Sequence, residues 1–324
     1  MPASGACAFE ALIAAFHGTL PPDDGWGGVI EVANRHLVAP ALFTSLREGG
    51  LLQHVPEEAR SYLAFLHERN EERNRSLHAQ ATECIEALNE AGVEPLLIKG
   101  TALLMLLDAK RLGCRMMSDL DMLVTEADRA AALARIGRLG YAALEDAAGP
   151  HALGKFFRPK DAAALDLHMR PPGPQRLFAD EAPGARREVR QGRLRFFVPS
   201  NEEWIVQLIA HDMIRDRRLF SGIVDLRRLL DCREVSAMGG TVDWDAVRRR
   251  LASPMLALAR EVFFLNLERF AGVPVNGRKA GVLARLFHRR QLAIECNPAV
   301  RRLDGRVIAT LLAIWRGTRG MIRQ

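Results

Sequence analysis

Hydrophobic spacing divides the chain into three stretches. As far as residue 91 the apolar positions recur at helical intervals. Phe9–His17 is a short amphipathic segment, and Pro21–Gly28 reads as a Pro/Gly/Asp loop. Pro40–Leu46 and Pro56–Leu66 each open on proline, which suits a first helical turn because that N–H has no helical acceptor. A long polar helix is predicted from about Glu57 to Ala91. Its apolar positions are Leu63, Leu66, Leu77, Cys84, Ile85 and Leu88, and Gly92 supplies the stop.

The rhythm changes at Val93. Val93–Ile98 is short, apolar and β-capable, ends on Lys99-Gly100, and is followed by a helical Thr101–Leu107. Asp119–Val124 alternates charged and apolar residues, the period-2 signature of a strand. Thr125 and Asp128 resemble a capping box for a helix through Leu133 and Ile136 that stops at Gly140. Tyr141–Leu144, Lys155–Arg158, Ala162–Met169 and Leu194–Val198 are further strand candidates. After Pro199 the helical rhythm returns. Ser200 and Glu203 frame a capping box before Trp204, Ile205, Leu208 and Ile209. Further helices are expected around Leu226–Leu230, Asp243–Leu251 and Met255–Phe270. The predicted class is α+β, a small mixed sheet flanked by helical regions, with boundaries at 1–91, 92–199 and 200–324.

Composition narrows the options. The 324 residues are 48% hydrophobic and 26% charged, a globular balance. The longest apolar runs, Thr101–Leu107 and Val307–Trp315, are too short to span a bilayer. The first ten residues lack Lys and Arg and include Glu10, so no secretory signal is expected and a cytoplasmic location is the default. Five scattered cysteines (Cys7, Cys84, Cys114, Cys232 and Cys296) suggest buried free thiols, with neither a disulfide framework nor a zinc site. The net charge of +6 comes from Arg spread along the chain, which describes solvated helix faces better than a nucleic-acid groove. Arg248–Arg250 and Arg289-Arg290 are the runs to inspect for an acidic acceptor.

The chemistry concentrates in the middle stretch. On a strand Asp119 and Asp121 point to one face while Leu120 and Met122 point to the other. Two adjacent carboxylates repel unless a cation lies between them, and Mg²⁺ prefers such oxygen ligands together with phosphate oxygens. Lys99-Gly100-Thr101 reads as a strand-to-helix turn. There a glycine admits close approach and free helical N–H groups favour phosphate. Leu165-Asp166-Leu167-His168 again alternates, so Asp166 adds a third acid and His168 either supports it or packs structurally. Each signal has an ordinary reading as a solvated strand face or turn. Their order, inside the one α/β stretch, makes them agree on a single site. His211, Asp212 and Asp225 downstream fit either helix packing or an acceptor site.

Lys99-Gly100-Thr101-Ala102, Arg115 with Ser118-Asp119-Leu120-Asp121, and Asp166-Leu167-His168 together resemble the DNA polymerase β-type nucleotidyltransferase superfamily. More narrowly, they resemble its poorly characterised bacterial members. The motifs cover roughly residues 90–200, with one glycine in the turn where the family commonly has G-S or G-G-T. The resemblance implies a nucleotidyltransferase-fold core over 92–199. It implies two Mg²⁺ (or Mn²⁺) ions about 3.5–4 Å apart on Asp119, Asp121 and Asp166. It also implies nucleotide contacts from Lys99, Gly100, Thr101, Arg115 and Ser118. Arg115 has two roles open to it, neutralising a triphosphate or pairing with an acid. The implied activity is transfer of a nucleoside monophosphate, from ATP, to an unidentified small-molecule, peptide, protein or RNA acceptor with release of pyrophosphate. No membrane partner is expected. A catalytically weak nucleotide- or partner-binding module is the alternative, and a D-x-D glycosyltransferase ranks below both.

Overall fold

The computed structural model describes residues 7–144, 152–174, 177–178, 185–277 and 279–304. The Val307–Trp315 run lies outside them. Four helices come first: α1 (Ala8–Phe16), α2 (Trp26–Arg35), α3 (Ala39–Glu48) and α4 (Glu57–Glu90). The middle of the chain alternates β1 (Leu96–Leu97), α5 (Lys99–Leu106), β2 (Asp119–Leu123), α6 (Arg129–Arg138), β3 (Ala142–Ala143), β4 (Ala152–Phe157), β5 (Ala164–His168), β6 (Arg186–Gln191) and β7 (Leu194–Pro199). Helices resume with α7 (Asn201–Ile209), a π-helical continuation Ala210–Arg215, α8 (Arg218–Ser221), α9 (Leu226–Ala237), α10 (Trp244–Arg250), α11 (Pro254–Asn266) and α12 (Val282–Cys296). Among the described residues no helix is long and apolar enough to cross a membrane.

The seven strands form one mixed sheet in the order β3-β4-β5-β2-β1-β7-β6. β2 runs parallel to β5 and antiparallel to β1, and β1 runs parallel to β7. The predicted alternation holds. Leu120, Met122, Leu165 and Leu167 are fully buried in the main core, with Ala102, Leu103, Ala132, Ile136 and the apolar stripe of α4. On the opposite face Leu123 joins Leu96, Ile98 and Phe197 in a small separate cluster, leaving Asp119, Asp121 and Asp166 clear of the core.

Several elements differ from expectation. β1 covers two residues rather than six, because only Leu96 and Leu97 are registered against β2. β6 was not predicted. It has a single apolar residue, Val189, and is an exposed edge strand held by backbone pairing to β7. α2 begins inside the expected Pro21–Gly28 loop, and α12 was not foreseen; the exposed Val282, Leu283 and Leu286 blur its helical pattern. Cys7 and Cys296 correct the expectation of five free thiols. They form a disulfide with Cα atoms 5.3 Å apart, because the start of α1 meets the end of α12 across 289 residues of sequence. Cys84, Cys114 and Cys232 are buried free thiols as expected. The helical flanks touch directly, with Phe9 edge-on to Phe270 at 5.2 Å.

Helix α4 is 34 residues long, and its buried face is not uniformly apolar. Between Leu66 and Leu77 the inward positions are His67, Asn70 and Asn74. Asn70 Nδ2 donates to the carbonyls of Gly113 and Arg115 at 2.7 and 3.0 Å. Asn74 Nδ2 donates to those of Leu112 and Arg115 at 2.6 and 2.8 Å. Arg73 reaches the Met117 and Ala162 carbonyls, and Gln80 that of Ala163. These carbonyls lie just before β2 and β5, so one rigid helix satisfies the backbone leading into both acidic strands. Asn74→Ala would leave the Leu112 carbonyl without its side-chain donor and remove one of the two from Arg115, and it is expected to cost about 1–3 kcal/mol in urea unfolding. The exposed Ser76→Ala should stay within about 0.5 kcal/mol of wild type. Equal effects from the two substitutions would refute the bracing role.

Candidate active site

Parallel pairing of β2 with β5 sets Asp121 directly opposite Asp166. Two residues earlier on the same face of β2 comes Asp119. These three carboxylates line one side of a polar cavity of about 440 Å³ together with Lys99, Gly100, Ser118 and Lys155. The other lining residues are Arg115, His211, Arg215, Asp216, Arg227 and Arg228. The cavity therefore lies between the sheet and the helices that follow it.

Asp121 is the buried member, 2% exposed. Its Oδ1 accepts from Lys99 Nζ at 2.5 Å and lies 2.9 Å from His168 Nε2, while its backbone N–H donates to Thr101 Oγ1 at 2.7 Å. Burial opposes its ionisation, but the His168 hydrogen bond and the Lys99 charge outweigh burial and hold the carboxyl well below its ordinary pKa. Lys99 reaches this position from a left-handed backbone, φ +52°, which costs a non-glycine residue about 1 kcal/mol. Asp166 behaves oppositely. Burial first, then the charge of Asp121, raises its pKa. Lys155, in register opposite Asp166 on β4, bridges Asp119 and Asp166 at 3.6 and 3.7 Å.

Ligand atoms of Asp121, Asp166 and His168 fall within 4.8 Å of one another, and Asp119 adds a further carboxylate on the same face. Two carboxylates and an imidazole at this spacing could hold a divalent cation, and the oxygen donors among them suit Mg²⁺. Ser118 Oγ donates to Asp119 Oδ1 at 2.9 Å and orients it.

Two of the predicted nucleotide-contact residues are engaged by groups of the protein itself. Thr101 is fully buried, does not line the cavity, and spends its hydroxyl on the Asp121 amide. Arg115 makes a two-point contact with Asp231 of α9, Nε at 2.6 Å and Nη2 at 2.9 Å, so of its two open roles the acid pairing is the one formed. Its guanidinium lies over the Lys99-Gly100 turn. A Cβ on Gly100 would sit 2.1 Å from Arg115 Nη1, so the glycine makes room for arginine.

The helical wall was the part least visible in sequence. His211, from the π-helical segment, lies 3.2 Å from Asp216 through Nδ1 and 3.0 Å from Arg215 through Nε2. Burial, reinforced by the Arg228 charge against the Asp216 hydrogen bond, lowers its pKa to about 4, so it is neutral near pH 7. Asp212 and Asp225 do not line the cavity. Asp212 is buried beside Arg218, and Asp225 caps α9 by accepting from the Arg228 amide. Lys155 could have been suspected from its place on a strand candidate, but its pairing with Asp166 depends on register. Arg227 and Arg228 sat in an ordinary amphipathic helix, with nothing local to distinguish them. Arg250 and Arg290 contact Glu203 and Asp304, and neither the Arg248–Arg250 run nor Arg289-Arg290 lines the cavity.

Residues 22–272 match the model of a family described as uncharacterised nucleotidyltransferase. No curated protein and no solved structure matches the chain.

Arg115–Asp231 generates a stability prediction. Burial would raise Asp231, but Arg115 holds its pKa below the usual carboxylate range. A depressed pKa contributes stability above the unfolded value of about 3.9, lost as pH falls through the folded value. Asp231→Ala should therefore cost about 3–5 kcal/mol at pH 7 by urea unfolding, with the difference from wild type shrinking below about pH 4. A variant as stable as wild type at pH 7 would contradict the buried pair.

Proposed function

This chain belongs to the uncharacterised nucleotidyltransferase family, and on that premise we propose that it transfers a nucleoside monophosphate from ATP to a hydroxyl or phosphate acceptor. The carrying observation is the register that places Asp121 against Asp166, with Asp119 on the same face of a polar cavity. An acceptor oxygen attacks the α-phosphorus, the new P–O bond forms, the bond to the β-phosphate oxygen breaks, and pyrophosphate leaves. Divalent metal, Mg²⁺ or Mn²⁺, supplies charge neutralisation for the triphosphate and activation of the acceptor oxygen.

The residues have distinct tasks in this reading. Asp119 and Asp121 hold the metal, and Ser118 and His168 orient their carboxylates. Asp166, kept more basic by burial and by Asp121, receives the proton of an acceptor hydroxyl. Lys99 and Lys155 moderate the repulsion among the three acids. Gly100 admits the Arg115 guanidinium to the edge of the cavity. Acceptor identity depends on the shape of the helical wall, which family membership does not carry over.

A second reading has one observation in its favour. Lys99 and His168 already compensate Asp121, so the site is electrostatically tolerable as a binding module with little turnover.

Incubation with α-labelled ATP, Mg²⁺ and an acceptor panel distinguishes the two. Nucleotidyl transfer predicts pyrophosphate release that requires the metal and falls about a hundredfold or more in Asp119→Asn and Asp121→Asn, the scale of losing one charge-stabilising group in an active site. A folded Asp121→Asn protein with full activity would rule out the carboxylate assignment. Metal-dependent ATP binding without any turnover would favour the binding module.

A further inference from the structure

The turn into α5 is poorly placed to hold a triphosphate by itself. Lys99 is engaged by Asp121, Thr101 is buried under the Asp121 amide, and the Arg115 guanidinium covers Gly100 and is held by Asp231. The cationic capacity left in the cavity lies on the helical wall, in Arg215, Arg227 and Arg228.

These arginines are incompletely matched. Arg228 is 6% exposed; its Nη2 lies 3.2 Å from His211 Nδ1, but its Nε has no hydrogen-bond partner among the described residues. Its carboxylate neighbour Asp231, at 3.9 Å, already accepts two hydrogen bonds from Arg115. Arg227 Nε is also unsatisfied, and among the described residues no carboxylate comes within 4.0 Å of this guanidinium, whose Nη1 donates to the Met116 carbonyl at 3.5 Å. Arg215 is exposed and contacts neutral His211. A buried cationic donor left without a partner is expensive unless a ligand completes it. Planar guanidinium forks match phosphate oxygens in particular.

We propose that Arg215, Arg227 and Arg228 form an oligophosphate-binding wall that takes the β- and γ-phosphates of the nucleoside triphosphate, the portion that leaves as pyrophosphate. The identity of the ligand rests on the nucleotidyl-transfer reading; the wall itself rests on the unmatched guanidiniums. Three cations and three carboxylates lining one cavity suit a ligand that carries both a metal and several adjacent negative charges. A lone phosphate on an acceptor would leave part of the wall unmatched.

Calorimetry on the full chain in Mg²⁺ tests the wall with ATP, AMP and inorganic pyrophosphate. Wild type is compared with Arg215→Gln, Arg227→Gln and Asp119→Asn, each checked for wild-type-like melting. Arg215 is exposed, so its variant keeps the test readable if Arg227→Gln fails to fold. Each arginine variant is expected to bind ATP and pyrophosphate about tenfold more weakly, the scale of one charge-assisted hydrogen bond. AMP binding should change less than about twofold. Unchanged ATP and pyrophosphate binding, with metal-dependent ATP binding still lost in Asp119→Asn, would overturn the wall and leave the nucleotidyl-transfer reading intact. AMP weakened as much as pyrophosphate would reassign the arginines to a single phosphate and overturn the proposal. Arginine-dependent pyrophosphate binding with no ATP binding by wild type would support the wall and overturn the triphosphate as its ligand, and with it the nucleotidyl-transfer reading.

Discussion

The repulsion among three carboxylates on one sheet face is the constraint around which this molecule is arranged. β2 and β5 run parallel and in register, so Asp121 and Asp166 meet side by side, with Asp119 one step along the same face. Such an arrangement is unfavourable unless each charge is answered. Lys99 adopts a left-handed backbone to reach Asp121, His168 contacts the same carboxylate, and Lys155 bridges the other two acids. Burial and then the charge of Asp121 raise the proton affinity of Asp166, whereas His168 and Lys99 outweigh burial and lower that of Asp121. The site consequently has a built-in demand for additional positive charge.

That demand can be met only if the strands are held where they are, and helix α4 does much of the holding. A 34-residue helix with polar residues on its buried face is unusual unless those residues have partners. Here Asn70, Arg73, Asn74 and Gln80 reach backbone carbonyls immediately before β2 and β5. The loop they secure also carries Arg115, whose pairing with Asp231 connects the sheet to α9. Carboxylates and arginine wall are therefore positioned against each other through one helix and one buried ion pair, and the polarity of the cavity follows from that connection.

Arg115 shows how a motif residue can line a cavity and still spend its donors elsewhere. It lines the cavity, but Asp231 takes its best donors and Gly100 makes space for it. Asp231 is then shared with Arg228, which it meets only at 3.9 Å. A structural ion pair thus leaves the guanidinium beside it incompletely matched.

Much of this was legible in the sequence wherever the signal is local. Period-2 alternation in Asp119–Leu123 and Ala164–His168 separates core leucines from outward acids without reference to anything distant. The long helix, its stop at Gly92 and the Ser200 cap follow from short-range spacing as well. What lay beyond the sequence depends on partners far along the chain. β6 has almost no hydrophobic signature because its stability comes from β7, and the Cys7–Cys296 bond joins residues separated by nearly the whole chain. Lys155 belongs to the site only through its register with Asp166, and Arg227 and Arg228 only because α9 docks over the sheet. Sequence alone determined that Asp119 and Asp121 share a face, because strand geometry is a property of neighbours, whereas Asp166 joins them through the pairing of β2 with β5. Tertiary structure decided which cations answer them, because charge acts through space and only folding sets those distances.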